Sequence, residues 1–226
     1  MIERRQFTVL GAAALTGAPW VAAHAALGVD DAAAGVRAAL ERGAISALGL
    51  LGRTDGFLGN PKVRIPLPGV LEDAAKLLSK LGQKKRVEEL VTAMNRAAEA
   101  AVPEAKTLLV STVRNLSVED ALQIVRGGET SVTDFFARKT RAPLGEKFLP
   151  IVTKATEKVK LADRYNAFAG KARSFGLVKA EDANLQQYVT GKTLDGLYLM
   201  IGEEEKRIRA DPLKTGSAIL KKVFGR

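Results

Sequence analysis

Two adjacent glutamates near the C-terminal end of the chain are the first residues whose position suggests chemistry. Leu194, Leu197 and Ile201 recur at the spacing of one face of an α-helix. The same stripe continues onto Glu204 and Glu205. Burying an unpaired carboxylate costs several kcal/mol or forces it to take up a proton. We therefore expect both glutamates to have partners, on a helix that forms the central strut of the fold.

Acidic and basic residues elsewhere would suit a carboxylate-based active site or a polar binding cluster. Glycan-cleaving enzymes act with paired Asp or Glu side chains, and arginines bind anionic substrates. Two carboxylates lining one pocket, roughly 5 to 10 Å apart, would favour an enzyme. Carboxylates each tied to a separate Arg or Lys would instead be ordinary ion pairs. The candidates are Arg64, Asn95, Arg96, Glu99, Asp120, Arg126, Asp195, Glu204 and Glu205.

A glycine turn between two predicted helices is a weak candidate for an anion site. Arg126-Gly-Gly-Glu-Thr130 leads into Ser131-Val-Thr-Asp134, which has the spacing of a helix-capping box, as does Ser117-Val-Glu-Asp120. Free backbone N–H groups at a helix start, with Arg126 nearby, would suit an anion. A plain helix-to-helix turn is the alternative, because the rest of a phosphate-loop pattern is missing from the sequence.

The N-terminus has the features of a cleavable export signal. Glu3-Arg4-Arg5-Gln6-Phe7 is followed by a mildly apolar run over 9–21 and by Ala23-His24-Ala25, an A-x-A cleavage pattern. The run is too short and too weakly apolar for a membrane-spanning helix. The paired arginines resemble a twin-arginine signal, and the general secretory route is the alternative. We predict cleavage near Ala25 and a periplasmic protein, without a transmembrane anchor, that comprises 26–226.

The residue types that are missing exclude several kinds of catalysis. The chain has no Cys, and its single His and single Trp are His24 and Trp20, both within the predicted signal. After cleavage, Ser/His and Cys/His pairs, thiol redox chemistry, disulfides and an ordinary zinc site would all be excluded. We accordingly predict no cofactor and no metal.

The chain is strongly basic. Its formal net charge is +10 at pH 7, from 35 Lys and Arg against 25 Asp and Glu. A basic surface favours anionic lipid headgroups, anionic glycans or acidic proteins as partners, and a merely solvated surface is the alternative. Nucleic acid is not expected, because no aromatic residues alternate with Lys and Arg in a base-stacking pattern and the predicted location is periplasmic.

The hydrophobic periodicity predicts an all-α fold, with one bundle-like domain. The first predicted helix ends at Gly52, a second spans about 71–81, and a third spans about 84–102. We expect prolines to kink or interrupt the later helices at Pro103, Pro143 and Pro150.

One segment near 60–69 breaks the helical pattern. Pro66 and Pro68 force extended geometry on the residues before them. Val63 and Ile65 flank Arg64, so we expect the segment to cross the bundle with its apolar side packed and Arg64 facing elsewhere. The C-terminal Ile219-Leu-Lys-Lys-Val-Phe224 is amphipathic and basic, and it would either dock on the core or touch an anionic membrane surface.

Several motifs in a fixed order carry a family resemblance. They are Asn60-Pro-Lys-Val-Arg-Ile-Pro-Leu-Pro-Gly69, Asn95-Arg-Ala-Ala-Glu99 with Pro103, Asp120-Ala-Leu-Gln-Ile-Val-Arg-Gly-Gly128, Tyr188-Val-Thr190 with Leu194-Asp-Gly-Leu197, and Leu220-Lys-Lys-Val-Phe-Gly225. Together they resemble the bacterial domain-of-unknown-function family 4197. The resemblance implies an exported, mostly helical protein and brings no assigned activity or site residues.

Two functional hypotheses of different classes follow. The first is a non-catalytic binding or interaction module for an apolar, amphiphilic or anionic envelope ligand or partner, held between helices with basic residues at the mouth. The alternative is a carboxylate and arginine enzyme acting on an anionic envelope substrate such as a glycan. A purely structural interaction protein would show neither pocket nor cluster. The sequence does not identify the ligand, the oligomeric state or the export route.

Overall fold

The structure of the protein is a computed structural model that describes residues 29–69, 71, 75–76, 79–157, 160–174 and 184–211. The predicted export signal, its cleavage site and the basic C-terminal tail lie outside the described residues, as does part of the helix expected over 71–81. Within the described part the chain forms seven α-helices and no strand, so the all-α prediction is confirmed. The helices are α1 (Val29–Leu51), α2 (Lys84–Ala101), α3 (Ala105–Arg114), α4 (Val118–Arg126), α5 (Ser131–Thr156), α6 (Lys160–Ser174) and α7 (Leu185–Ala210).

The C-terminal helix α7 is the central strut, as its hydrophobic stripe predicts. Its largest contact is with α5, and it also packs on α1 and α2. Leu194, Leu197 and Ile201 are buried in a core that continues from Ala33 of α1. Each large aliphatic side chain buried in this way contributes about 1.5–3 kcal/mol. The elements that hold the polar candidates therefore share one hydrophobic core.

The expectation that Pro143 and Pro150 interrupt the helix is wrong for α5. Both lie inside one continuous helix, although an interior proline removes a backbone hydrogen bond and costs about 3 kcal/mol. The opposing term is packing, because Leu144 and Phe148 are fully buried between the two prolines. Core burial along the whole length of α5 outweighs the local cost. Pro103, by contrast, lies where predicted, in a short 3₁₀ turn between α2 and α3.

The segment between α1 and α2 begins with a tight turn and then becomes extended. A Cβ on Gly56 would lie 2.3 Å from the carbonyl oxygen of Leu51, so only glycine fits at the start of the turn. Val63 and Ile65 are buried and Arg64 between them is exposed, which confirms the predicted alternation. The segment crosses the bundle over α2 and α7, and side chains of these two helices fix its position.

Candidate functional site

An asparagine on α2 binds the extended segment as a neighbouring strand would. Asn95 is fully buried. Its Oδ1 accepts a hydrogen bond from the Ile65 N–H at 2.8 Å, and its Nδ2 donates to the Ile65 carbonyl at 3.0 Å and to the Val91 carbonyl at 2.8 Å. Both backbone groups of Ile65 are thereby satisfied away from water, which an irregular buried segment requires. Asn95 therefore stabilises the packing of the extended segment on α2.

Glu99, one helical turn further on, holds the preceding turn in the same way. Its buried Oε1 accepts from the N–H groups of Phe57 at 3.0 Å and Leu58 at 3.1 Å. Its Oε2 accepts from Arg96 at 2.6 Å, and Arg96 also donates to Asp55 at 2.9 Å. The hydrogen bonds to Glu99 and Asp55 raise the pKa of Arg96. We call Asn95, Arg96 and Glu99 the α2 clamp.

The α7 side of the segment is fitted just as closely. A Cβ on Gly196 would lie 2.8 Å from the Phe57 ring and 3.2 Å from Val63 Cβ, so the glycine allows the segment to approach the helix. The Tyr188 hydroxyl donates to the carbonyl oxygen of Pro66 at 3.1 Å. The segment is thus fixed from two helices, and its outward face is a preformed surface.

That outward face forms one wall of an open hollow of about 560 Å³. Its lining combines apolar and basic side chains. It is lined by Arg64, Pro66, Leu67, Ala75, Lys76, Lys80 and Val91, and we call it the basic groove. On the other side of Arg64 lies a second hollow of about 240 Å³, which includes Lys62, Lys192 and Leu199. Arg64 therefore stands between two open hollows.

The cations around these hollows differ in how they are paired. Lys62 forms an ion pair with Glu203 and lowers the pKa of that carboxyl. Lys192 Nζ lies 3.7 Å from Oδ2 of Asp195. Within the part of the chain that the structure describes, Arg64 and Lys80 have no carboxylate within 4.0 Å. An anion bound at Arg64 and Lys80 would therefore meet two charges that no carboxylate of the described residues neutralises.

Glu205 is at the centre of a second buried polar group. Its carboxylate accepts from Arg209 at 2.8 Å and from the Val132 N–H at 3.2 Å. Arg209 also donates to the Ser131 hydroxyl at 2.9 Å and to the Ile124 carbonyl at 3.0 Å. Burial raises the pKa of Glu205, and the bonds to Arg209, Val132 and Ser131 oppose that shift. We call Ser131, Glu205 and Arg209 the Glu205 cluster.

This cluster corrects one capping prediction and bears on the expected anion site. Ser117 caps α4 as expected, with its hydroxyl accepting from the Asp120 N–H at 3.0 Å. Ser131 instead is the first residue of α5, after the N-cap residue Thr130, and its hydroxyl donates to the Ile124 carbonyl. A carboxylate accepts more strongly than a hydroxyl, so Glu205 serves the start of α5. The anion at this helix start is a side chain of α7.

A small cavity lies beside the Glu205 cluster. Its volume is about 20 Å³, and its lining is otherwise mainly apolar, with Val36, Leu40 and Ile201 among the contributors. A volume of that size holds one water molecule at most. The cavity is too small for an organic ligand, and the Glu205 cluster is a packing and capping element.

Of the remaining candidate carboxylates, Glu204 is buried, Asp120 is half-buried and Asp195 is exposed. Glu204 pairs with Arg207, and Asp195 pairs with Arg141 at 2.6 Å. Asp120 lies in the first turn of α4 and lines a polar hollow of about 290 Å³ that also contains Asp134 and Arg138. Arg126 is exposed at the end of α4. Four of the five candidate carboxylates thus have their own Arg, the arrangement expected of structural ion pairs.

Two further residues complete these sites and are absent from the sequence-based candidates. Lys80 lines the basic groove together with Arg64, although it lies sixteen positions later in the chain, and no sequence pattern indicates this. Arg209 lies four residues after Glu205, the spacing of a helical ion pair. That spacing alone identifies Arg209 as a partner for Glu205.

Two structural features concern membrane spans and metals. None of the described helices is both long enough and apolar enough to cross a bilayer. No group of three or more His, Cys, Asp or Glu side chains with the geometry to hold a metal ion occurs among the described residues.

Comparison with known proteins gives one result. No curated protein and no solved structure matches the chain at a significant level. A family model described as a protein of unknown function, DUF4197, matches residues 26–225. The match covers nearly the whole chain and agrees with the motifs that carry the resemblance, and the chain therefore belongs to the DUF4197 family.

Proposed function

We propose that the protein is a non-catalytic binding module that holds an anionic amphiphile in the basic groove. The observation that carries the proposal is the groove itself, in which Arg64 and Lys80 line the same hollow as the apolar side chains of Pro66, Leu67 and Val91. Such a surface suits a hydrocarbon chain attached to an acidic headgroup, because the two parts of the ligand meet matching parts of the wall.

The rigidity of the wall supports this function. A preformed pocket binds without the entropy cost of ordering its own loop. Here the α2 clamp holds the chain on both sides of Arg64, through Phe57 and Leu58 before it and Ile65 after it. The only exposed side chain between buried Val63 and Ile65 is the guanidinium of Arg64. The clamp therefore positions the headgroup contact.

We propose the bacterial envelope as the place where the ligand is met. The support is the signal-like N-terminus over 1–25, with its paired arginines and A-x-A site. In this proposal residues 26–226 form the exported domain, and the ligand is an envelope lipid or a fragment of one. No catalytic group and no cofactor are assigned.

A carboxylate enzyme acting on an anionic glycan is the less favoured function. It would need two carboxylates free to share one substrate. Glu99, Asp195, Glu204 and Glu205 are each bonded to an arginine instead. Asp120 is the one remaining member of the candidate set.

Native mass spectrometry of the protein, purified gently from the periplasmic fraction, tests the proposal. We expect a reproducible extra mass that extracts into organic solvent as an anionic amphiphile. Arg64→Gln should lose that mass, and the matched control Lys106→Gln, an exposed cation on α3, should keep it. A bare protein mass in the wild type, or equal loading of the two variants, would contradict the proposal. A mature N-terminus far from Ala26 would contradict the predicted export.

A further inference from the structure

The turn that precedes α2 projects an apolar side chain among cations. Leu81 is 66% exposed, the highest value among the large hydrophobic side chains of the described residues, ahead of Leu199 at 45% and Ile45 at 44%. The chain breaks its helical path there, because Leu81 and Gly82 have non-helical dihedral angles and Gly82 has φ of +76°. The leucine is therefore displayed at a bend.

The charged residues nearest to this leucine in the sequence are all basic. Between positions 76 and 86 the sequence contains five cations and no acidic residue. Lys80, Lys84, Lys85 and Arg86 are all exposed. The pair between Lys84 and Glu88, at 3.6 Å, joins two exposed side chains, so it neutralises little of this charge.

From this arrangement we infer that residues 79–86, which we call the Leu81 turn, dock on an anionic lipid bilayer surface. An exposed apolar side chain ringed by Lys and Arg is the pattern of segments that insert shallowly at the headgroup layer, where cations meet acidic lipids and the apolar group enters the acyl boundary. Charge complementarity selects the bilayer as the partner, because a hydrophobic protein interface is depleted of lysine.

The Leu81 turn is continuous with the basic groove, and this part of the inference rests on the proposed function. Lys80 belongs to both, since it lies next to Leu81 and lines the groove with Arg64. A protein docked through Leu81 would place the groove beside the headgroups. The amphiphile would then enter from the membrane.

Sedimentation with vesicles tests the docking. We expect the full-length mature chain to bind vesicles that contain phosphatidylglycerol and to release from them in about 0.5 M salt, where screening is strong. Lys84→Gln/Lys85→Gln should lower the partition coefficient roughly 20-fold, and Leu81→Ser roughly tenfold. The matched control, Arg138→Gln/Lys139→Gln, changes two adjacent cations on α5 and should leave binding within a factor of about three.

Three results would overturn the inference. They are the absence of binding to anionic vesicles, equal binding to pure phosphatidylcholine vesicles, and an equal loss in the α5 control. None of the substituted side chains is buried, and an unchanged melting temperature checks that the variants fold. Titration with a fluorescent fatty acid without vesicles separates the two proposals. If vesicle binding fails and fatty-acid binding that depends on Arg64 persists, only the membrane inference falls, and the reverse result removes only the proposed ligand.

Discussion

The α2 clamp and the basic groove use the same kinds of residue in opposite ways. In the clamp, Arg96 is bonded to Glu99 and Asp55, and Glu99 also accepts two backbone N–H groups. In the groove, Arg64 points outward from a chain whose neighbours are buried, and it has no ion pair with any described residue. Arg64 and Arg96 are the chain neighbours of Ile65 and Asn95, which are themselves joined by a hydrogen bond.

The difference indicates which charged residues stabilise the fold and which are available to a ligand. A buried carboxylate with several donors stabilises the fold because removing it leaves those donors unsatisfied. An exposed cation outside any ion pair adds little to stability and remains available to a ligand. We therefore expect substitutions in the clamp to change the free energy of unfolding, and substitutions in the groove to change binding.

The largest effect is expected for Glu99→Ala. It leaves the N–H groups of Phe57 and Leu58 without an acceptor and Arg96 without its main partner. The free energy of unfolding should fall by about 3 kcal/mol, measured by urea denaturation. Glu203→Ala, which breaks only a surface pair with Lys62, should lower the free energy of unfolding far less. Equal costs would remove the distinction between the two regions.

The Glu205 cluster should be the next most sensitive. Glu205→Ala deprives Arg209 and the start of α5 of their carboxylate, and we expect a loss of about 2–3 kcal/mol at neutral pH. Lys206→Ala, at the exposed neighbouring position, should change stability by less than about 0.5 kcal/mol. Small and equal shifts in melting temperature would contradict the view of this helix face as buried.

Gly196 and Gly191 offer a steric test on one helix. Gly196→Ala pushes a methyl group against Phe57 and Val63, and it should cost about 1–2 kcal/mol. Gly191→Ala meets no atom within 4 Å, so helix propensity should make it neutral or stabilising by up to about 1 kcal/mol. Thermal denaturation of the two variants and the wild type measures both changes in stability. A harmless Gly196→Ala would mean that the segment is not closely fitted to α7.

A smaller effect is expected in the pH dependence of stability. Burial raises the pKa of Glu205, so the folded protein holds this proton more tightly than the unfolded chain does. The resulting stabilisation is fully present below the ordinary glutamate pKa of about 4.3, and it is lost as the pH rises through the raised value. The free energy of unfolding of the wild type minus that of Glu205→Gln should therefore decrease above about pH 4. A flat or increasing difference would show that Arg209 dominates.

The sequence predicts much of the fold because its local signals agree with the packing. The alternation of Val63, Arg64 and Ile65 correctly indicates which side chain of the extended segment is exposed. The prediction fails where a distant element outweighs a local preference. Core packing carries α5 through Pro143 and Pro150, and the carboxylate of α7 replaces Ser131 as the partner of the α5 start.

The candidate site is harder to predict than the fold. The spacing of Asn95, Arg96 and Glu99 places them on one helix, and the structure does bring them together. Their partners, however, include backbone groups of the segment before α2, which sequence spacing cannot reveal. Arg64 is a sequence-based candidate, whereas its groove partner Lys80 lies sixteen positions further along the chain and joins it only through folding.

The most direct test is a fluorescence titration of the wild type and Arg64→Gln with a long-chain fatty acid and with its uncharged methyl ester. We expect the wild type to bind the acid and Arg64→Gln to bind it roughly tenfold more weakly, because one charge-assisted hydrogen bond is lost. The ester should bind both proteins equally, and the stability of the variant should stay within about 0.5 kcal/mol of the wild type. Failure of the wild type to bind the acid, or equal affinity of the two proteins for it, would contradict the assignment of the groove as the binding site.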